Sequence, residues 1–255
     1  MFRNQYDTDV TVWSPQGHLY QVDYAMEAVK QGSATLGLRS STHVVLAAIQ
    51  RCNSKDTDTA AGSSLADPQK KIFNIDTHIS ISIAGLTSDA RSIARYLRTE
   101  CLNHKFVYGS SKPVSRLVSS LADKMQACTQ SYVRRPYGVG LLVAGVDHDI
   151  PKLFNVSPSG NGIEYEAMAI GSRAQSARTY LEKHFKDFKS CTKDELVGHA
   201  LMGLRGCLSD GDELTSENVA LSIVGIDTPM EIVSKADMKH YLNAMQVSDD
   251  AQMQE

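Results

Sequence analysis

Long apolar runs, basic blocks and paired cysteines are all missing from this chain. No stretch approaches the roughly 20 apolar residues that cross a bilayer, and the opening MFRNQYDTD has no apolar core of the signal-peptide kind. With 26 Lys and Arg against 29 Asp and Glu, the net charge is −3, and basic residues do not interleave with aromatics. That pattern argues against nucleic acid as a main partner, and neither it nor the hydropathy points to a membrane. The five cysteines (Cys52, Cys101, Cys128, Cys191, Cys207) are odd in number, dispersed and without a CxxC pair. They read as reduced thiols of a cytosolic or nuclear protein, and as neither a disulfide framework nor a zinc site. There is no HExxH, GxSxG or Walker loop. His148 stands between Asp147 and Asp149, but neighbours in a turn do not converge on one ion, so the three read as a solvated turn. No metal or other cofactor is expected.

What is present is enough apolar surface for a sizeable core, 42% of 255 residues, in an order that suggests one domain. The most informative run covers residues 6–28. Ser14 is a good N-cap, Pro15 suits a first helical turn, and Leu19, Val22, Met26 and Val29 recur at helical spacing. Gly32 is placed to close that helix in a left-handed conformation. Strands are predicted at 34–39, 43–50, 72–75 and 78–84, the last with Ile79, Ile81 and Ile83 alternating with Ser80 and Ser82. Between them, residues 53–68 are rich in Ser, Thr, Asp, Ala and Gly and read as a surface loop. Two helices follow, one from about Ser88 and one opened by Pro113, then strands at 138–146, 153–156 and 163–170. A second helix pair covers 172–188 and 192–208, where Thr192 and Glu195 form a capping-box pattern. A strand at 219–224, a short one at 231–233 and a helix capped by Ser234 complete the order, and the polar tail 247–255 is expected to fray. Strands segregated from paired helices indicate layered α+β architecture.

The run Trp13, Ser14-Pro15-Gln16-Gly17-His18 and Gln21-Val22-Asp23-Tyr24 resembles the N-terminal signature of proteasome alpha subunits. The resemblance extends over nearly the whole chain. It implies a four-layer αββα sandwich of the N-terminal nucleophile hydrolase type. By this reading the single domain has a gate arm at 1–16, an alpha-specific helix at 17–32, the sandwich at 33–246 and a tail at 247–255. Loop 53–68 looks longer than the family usually has.

Family relatives of the beta type are proteases whose terminal Thr is both nucleophile and amine base. In that register Ser33 takes the nucleophile position and Lys71 that of the catalytic Lys, while the carboxylate position falls on Ile49. An aliphatic side chain cannot orient or charge-stabilise a Lys–nucleophile pair. Processing at Gly32-Ser33, the route to an active hydrolase, would also discard the best-defined motif. The resemblance therefore implies a non-catalytic member of a threonine-protease complex, found in cytoplasm and nucleus. Its implied partners are neighbouring alpha subunits, beta-ring subunits, and regulatory-particle ATPases or other activators.

Site residues carry over from the resemblance position by position. The gate cluster maps onto Tyr6, Asp7, Pro15 and Tyr24, the pocket for activator tails onto Lys71, Gly85 and Leu86, and the ring contacts onto Tyr20, Arg135 and Tyr137. The chemistry suits the roles. A phenol can donate to Asp7, Pro15 restricts the bend, and a Lys ammonium suits a terminal carboxylate. A glycine at position 85 would let a peptide backbone approach closely.

Overall fold

The computed structural model describes residues 5–50, 69–208 and 212–252; the predicted loop at 53–68 lies outside them. In chain order the elements are α1 (Tyr20–Gln31), β1 (Thr35–Arg39), β2 (His43–Ile49), β3 (Ile72–Asp76), β4 (Ile79–Gly85), α2 (Thr87–Tyr108), α3 (Val114–Ala127), β5 (Val139–Asp147), β6 (Ile150–Val156), β7 (Gly162–Tyr165), β8 (Ala167–Ile170), α4 (Ala174–His184), α5 (Lys193–Arg205), β9 (Val219–Gly225), β10 (Glu231–Ile232) and α6 (Lys235–Gln252). They form two five-stranded sheets, ordered β10-β9-β2-β1-β8 and β3-β4-β5-β6-β7, with every strand pair antiparallel. One sheet buries Leu36, Leu38, Val45 and Leu221 under α4, α5 and α6. The other buries Ile79, Ile81, Ile83 and Leu141 under α2 and α3. A third apolar cluster, with Leu46, Ala48, Leu142 and Leu153, fills the space between the sheets. The result is the αββα sandwich implied by the family resemblance.

The Ile/Ser alternation of β4 explains how one strand serves two interiors. Successive side chains point to opposite faces. The isoleucines face the helices, while Ser80 and Ser82 turn to the second sheet, where both are fully buried. There the Thr35 hydroxyl donates to Ser82 Oγ at 2.7 Å and the Ser222 hydroxyl to Ser80 Oγ at 3.0 Å. Four hydroxyls on three strands thus satisfy one another across the sheet interface.

Several expectations need correction. The single strand expected at 163–170 is two strands in different sheets, because the chain crosses at Glu166. The Glu166 carbonyl accepts the Arg39 N–H at 2.9 Å, and the Arg39 guanidinium meets Glu164 at 2.6 Å. Ser14 does not cap α1. The chain at 14–18 is a closed turn, in which Gly17 N–H donates to Ser14 carbonyl and His18 N–H to Ser14 Oγ, each at 2.9 Å. Gly17 takes φ +80°, which an α-helix cannot use, so α1 starts only at Tyr20 with Leu19 before it. Gly32 is extended (φ −69°, ψ 151°) and not left-handed. At the far end, α6 runs on to Gln252, past the point where the sequence suggests fraying.

The Asp147 turn is also not simply solvated. Asp147 is buried, and its carboxylate accepts the N–H groups of Val114 at 2.6 Å and Ser115 at 3.3 Å. Pro113, just ahead of α3, has no side-chain oxygen, so the cap comes from the β5–β6 turn more than 30 residues away in sequence. Replacing Asp147 with Ala leaves two helix-terminal donors without their acceptor, and the expected cost is about 1–2 kcal/mol. Denaturant unfolding of the variant checks this; a midpoint matching the parent chain would remove Asp147 from the set of structural caps.

Candidate functional site

α1 lies over one end of the sandwich, where the two sheets part. Its Val29 enters the apolar cluster between the sheets, beside Ala84, Leu142 and Ile170. Close seating requires bare backbone beneath and behind it. A Cβ on Gly140 would stand 2.9 Å from Val29 Cγ1. A Cβ on Gly32 would collide with the backbone nitrogen of Gly85, and one on Gly85 (φ +111°) with the Gly138 carbonyl oxygen. The contact is sealed by Leu86 N–H to the Gly138 carbonyl at 2.9 Å and Ser172 N–H to the Gly32 carbonyl at 2.7 Å. Gly85 therefore serves the approach of the chain's own backbone from both sides, a use distinct from lining a pocket for a partner peptide.

Behind this seal lie the three positions of the hydrolase register. Ser33 is buried, and among the described residues its Oγ has no hydrogen-bond partner. Its nitrogen is an ordinary peptide N–H joined to Gly32. Ile49 is half-buried and donates its N–H to the Ala34 carbonyl at 2.9 Å. Lys71 sits just before β3 with only 3% of its surface exposed, and its carbonyl accepts the Ile83 N–H at 3.0 Å. Position 49 thus carries an aliphatic side chain.

Outside the seal, the arm returns to α1. Tyr24 Oη donates to Asp7 Oδ2 at 3.1 Å, and the Gln21 side-chain amide donates to the Asp7 carbonyl. Residues three apart share a helix face, so Gln21 and Tyr24 grip one residue by its backbone and its side chain. In the sequence Gln21 stands out only as part of the signature, although its i, i+3 spacing from Tyr24 is the signal of their partnership. Val10 is buried and anchors the arm between Asp7 and the turn. Tyr6 is half-buried next to Asp7, and Pro15 is exposed in the turn at 14–18. Of the four residues expected to form a gate cluster, Asp7 and Tyr24 are joined by a direct hydrogen bond. Beside it, His18, Tyr20 and Tyr24 form a stacked row with ring centroids 6.0 and 6.3 Å apart. Trp13 is 64% exposed.

Arg135, expected at a contact between subunits, spends its guanidinium inside the chain. It forms a two-pronged pair with Asp89, at 2.7 and 2.8 Å, and Asp89 also accepts the Gly138 N–H at 3.0 Å. Asp89 lies in the first turn of α2, where a carboxylate is favoured by the helix dipole. The Arg135 hydrogen bonds hold the Asp89 carboxyl below its usual range, with a further contribution from the Gly138 N–H. Sequence reasoning does not single out Asp89, and an acidic residue at a helix start is its only signal. Tyr137 is half-buried, and desolvation pushes its phenol up. The pair ties the segment before β5 to α2, and so fixes Gly138 under Leu86.

A two-sheet sandwich of this topology, closed at its mouth by an added helix to which an N-terminal arm is tethered, defines a class. Residues 29–224 match the family described as "Proteasome subunit", and residues 6–28 match the N-terminal signature of its A-type members. The chain belongs to the proteasome subunit family and is of its alpha type. It is 47% identical over 255 residues to "Proteasome subunit alpha type-1" of Dictyostelium discoideum, covering 100% of this chain and 99% of that one. It is 50% identical over 254 residues to the protein of the same name from Drosophila melanogaster, covering 98% and 88%. With "Probable proteasome subunit alpha type-6" of Schizosaccharomyces pombe the identity is 48% over 245 residues, covering 96% and 87%.

The Asp89–Arg135 pair has a defined pH signature. A carboxyl with a depressed folded-state pKa contributes stability above its unfolded value, near 3.9, and that contribution disappears as pH falls through the folded value. Arg135, with 64% of its side chain exposed, is screened by solvent, so Arg135→Ala is expected to destabilise by about 1 kcal/mol at neutral pH. The difference from the parent chain should close below about pH 3.9. Unfolding midpoints measured from pH 7 to pH 3 check both the size and the convergence.

Proposed function

We propose that this chain is a non-catalytic structural and gating subunit of the proteasome alpha ring. It controls substrate entry and helps dock regulatory particles in ATP- and ubiquitin-dependent protein degradation. The reading rests above all on one observation, that Asp7 is held by Gln21 and Tyr24 at the base of an arm whose helix covers the sandwich mouth. A helix seated there leaves Ser33 buried, which supports a role in assembly and access and not in hydrolysis. The stacked tyrosines and exposed Trp13 are the composition of a protein interface, and neighbouring alpha subunits are the partners that such a surface serves. Beta-ring subunits, regulatory ATPases and other activators complete the set, in cytoplasm and nucleus.

For activator docking, Leu86 offers an exposed apolar wall, with Gly85 beside it. Lys71 is buried in the isolated chain, so a tail carboxylate reaches its ammonium only if the surrounding chain gives way. In assembled particles, Lys71→Ala is expected to lower ATPase-stimulated peptide hydrolysis. Unchanged stimulation would assign Lys71 to the fold.

The gating role has a direct test. Tyr24→Phe removes the phenolic donor to Asp7 while keeping the ring, a loss of about 1 kcal/mol. Activator-stimulated peptide hydrolysis by assembled particles should fall by about fivefold, while labelling of the catalytic beta subunits by an epoxyketone stays constant. The same labelling, with intact mass, tests the non-catalytic reading. This chain should retain residues 1–32 and take no label, and a labelled product beginning at Ser33 would overturn the proposal.

A further inference from the structure

We propose that α4 and α5 hold a divalent transition-metal ion between them, with the Nε2 atoms of His184 and His199 as its protein ligands. His184 is the last residue of α4, and His199 lies on α5. Phe188, in the connection between the two helices, is fully buried and packs edge-on against the His199 ring, with centroids 5.3 Å apart. Both imidazoles are half-buried, and their own centroids are 5.5 Å apart. Two imidazoles that share one ion at about 2.0–2.1 Å in tetrahedral geometry place their ring centres roughly 5 Å apart. The packing of α4 on α5 therefore sets the rings at a ligating separation. Neither histidine belongs to a metal-ligand spacing in the sequence, and only the tertiary fold brings them together.

The second nitrogen of each ring already faces an oxygen. His199 Nδ1 is 2.9 Å from Tyr180 Oη, and His184 Nδ1 is 3.7 Å from Asp187 Oδ2. An Nδ1–H directed at an oxygen fixes the tautomer that leaves the Nε2 lone pair for a metal, and metal-bound histidines regularly have such an outer partner. Among the described residues, no hydrogen bond engages either Nε2. Glu195 and Cys191 are committed elsewhere: the Glu195 carboxylate accepts the Thr192 N–H at 2.8 Å, and the Cys191 thiol donates to the Asp187 carbonyl at 3.3 Å. Among the described residues, no three His, Cys, Asp or Glu side chains gather into a metal-holding group, so water completes the coordination of the ion. Imidazole nitrogen suits Zn²⁺, Cu²⁺ and Ni²⁺, whereas Mg²⁺ and Ca²⁺ take oxygen ligands. An ion shared by two helices binds the folded chain in preference to the unfolded one and so stabilises their packing.

The test is a titration of the full-length chain with Zn²⁺, and with Mg²⁺ as control, read by calorimetry and by the nitrogen NMR signals of the imidazoles. The Nε2 signals of both His184 and His199 are expected to shift. The parent chain should take up one Zn²⁺ more than the double variant His184→Ala, His199→Ala, and Zn²⁺ should raise the unfolding midpoint of the parent chain alone. The His184 side chain is 39% exposed, so His184→Ala by itself leaves the core intact and should weaken binding by at least about tenfold. Cys191→Ser should leave binding unchanged. The proposal is overturned if His184→Ala or the double variant binds Zn²⁺ as the parent does, if fewer than both Nε2 signals shift, if Mg²⁺ binds as tightly, or if Cys191→Ser abolishes binding.

Discussion

Everything at the functional end of this molecule depends on three glycines meeting backbone to backbone. Gly32 ends α1, Gly85 ends β4 and Gly138 precedes β5; Gly85 fills the space that a Cβ on Gly32 would need, and Gly138 the space that one on Gly85 would need. Residues 32, 85 and 138 are remote in sequence, so their contact fixes the helix to the adjoining ends of two paired strands. Only because side chains are absent can Val29 reach the apolar cluster between the sheets. Burying a Val side chain contributes about 1.5–3 kcal/mol, and that gain is available only at close range. The Asp89–Arg135 pair is part of the same device, since Asp89 also holds the Gly138 N–H.

The hydroxyl contacts between the sheets serve the same end by other means. A buried hydroxyl without a partner costs about 1–3 kcal/mol on mutational scales, so serines inside a sandwich are tolerated only where they pair. Here Thr35 meets Ser82, and Ser80 meets Ser222, from strands of opposite sheets. Each pair is satisfied in one relative placement of the sheets and lost in others. Apolar contacts alone are less selective about such shifts. Ser33 is the counterexample, buried with a hydroxyl that finds no partner among the described residues.

How much of this is legible in the sequence follows from the range of the forces involved. Elements governed by local periodicity agree within a residue or two, as with β4, the start of α2 and the capping box at Thr192, where Glu195 N–H and Thr192 N–H are both satisfied. Features governed by distant partners do not. The crossing at Glu166 depends on Arg39, the α3 cap on Asp147, and the conformation of Gly32 on Gly85. None of these partners lies within a helical turn of the residue it controls, so no window of sequence contains the cause. The arm shows both cases. Asp7 and Tyr24 come together through the family resemblance, whereas the turn at 14–18 reads locally as a helix start because Ser-Pro favours both.

The site therefore divides into a rigid part and a weakly held part. The mouth is closed by steric contact, buried apolar surface and backbone hydrogen bonds, and altering it disturbs two sheets at once. The arm is held by Val10, by the Gln21 amide and by an exposed phenol–carboxylate bond. Single hydrogen bonds in such settings are worth about 0.5–1.5 kcal/mol, so a partner that contacts the arm can redirect it with a modest difference in affinity for its two placements. A rigid base under a lightly tethered arm is what the proposed gating role requires physically. If the base yielded with the arm, movement of the arm would propagate into the sandwich; if the arm were buried as deeply as Val29, no ordinary ligand would move it.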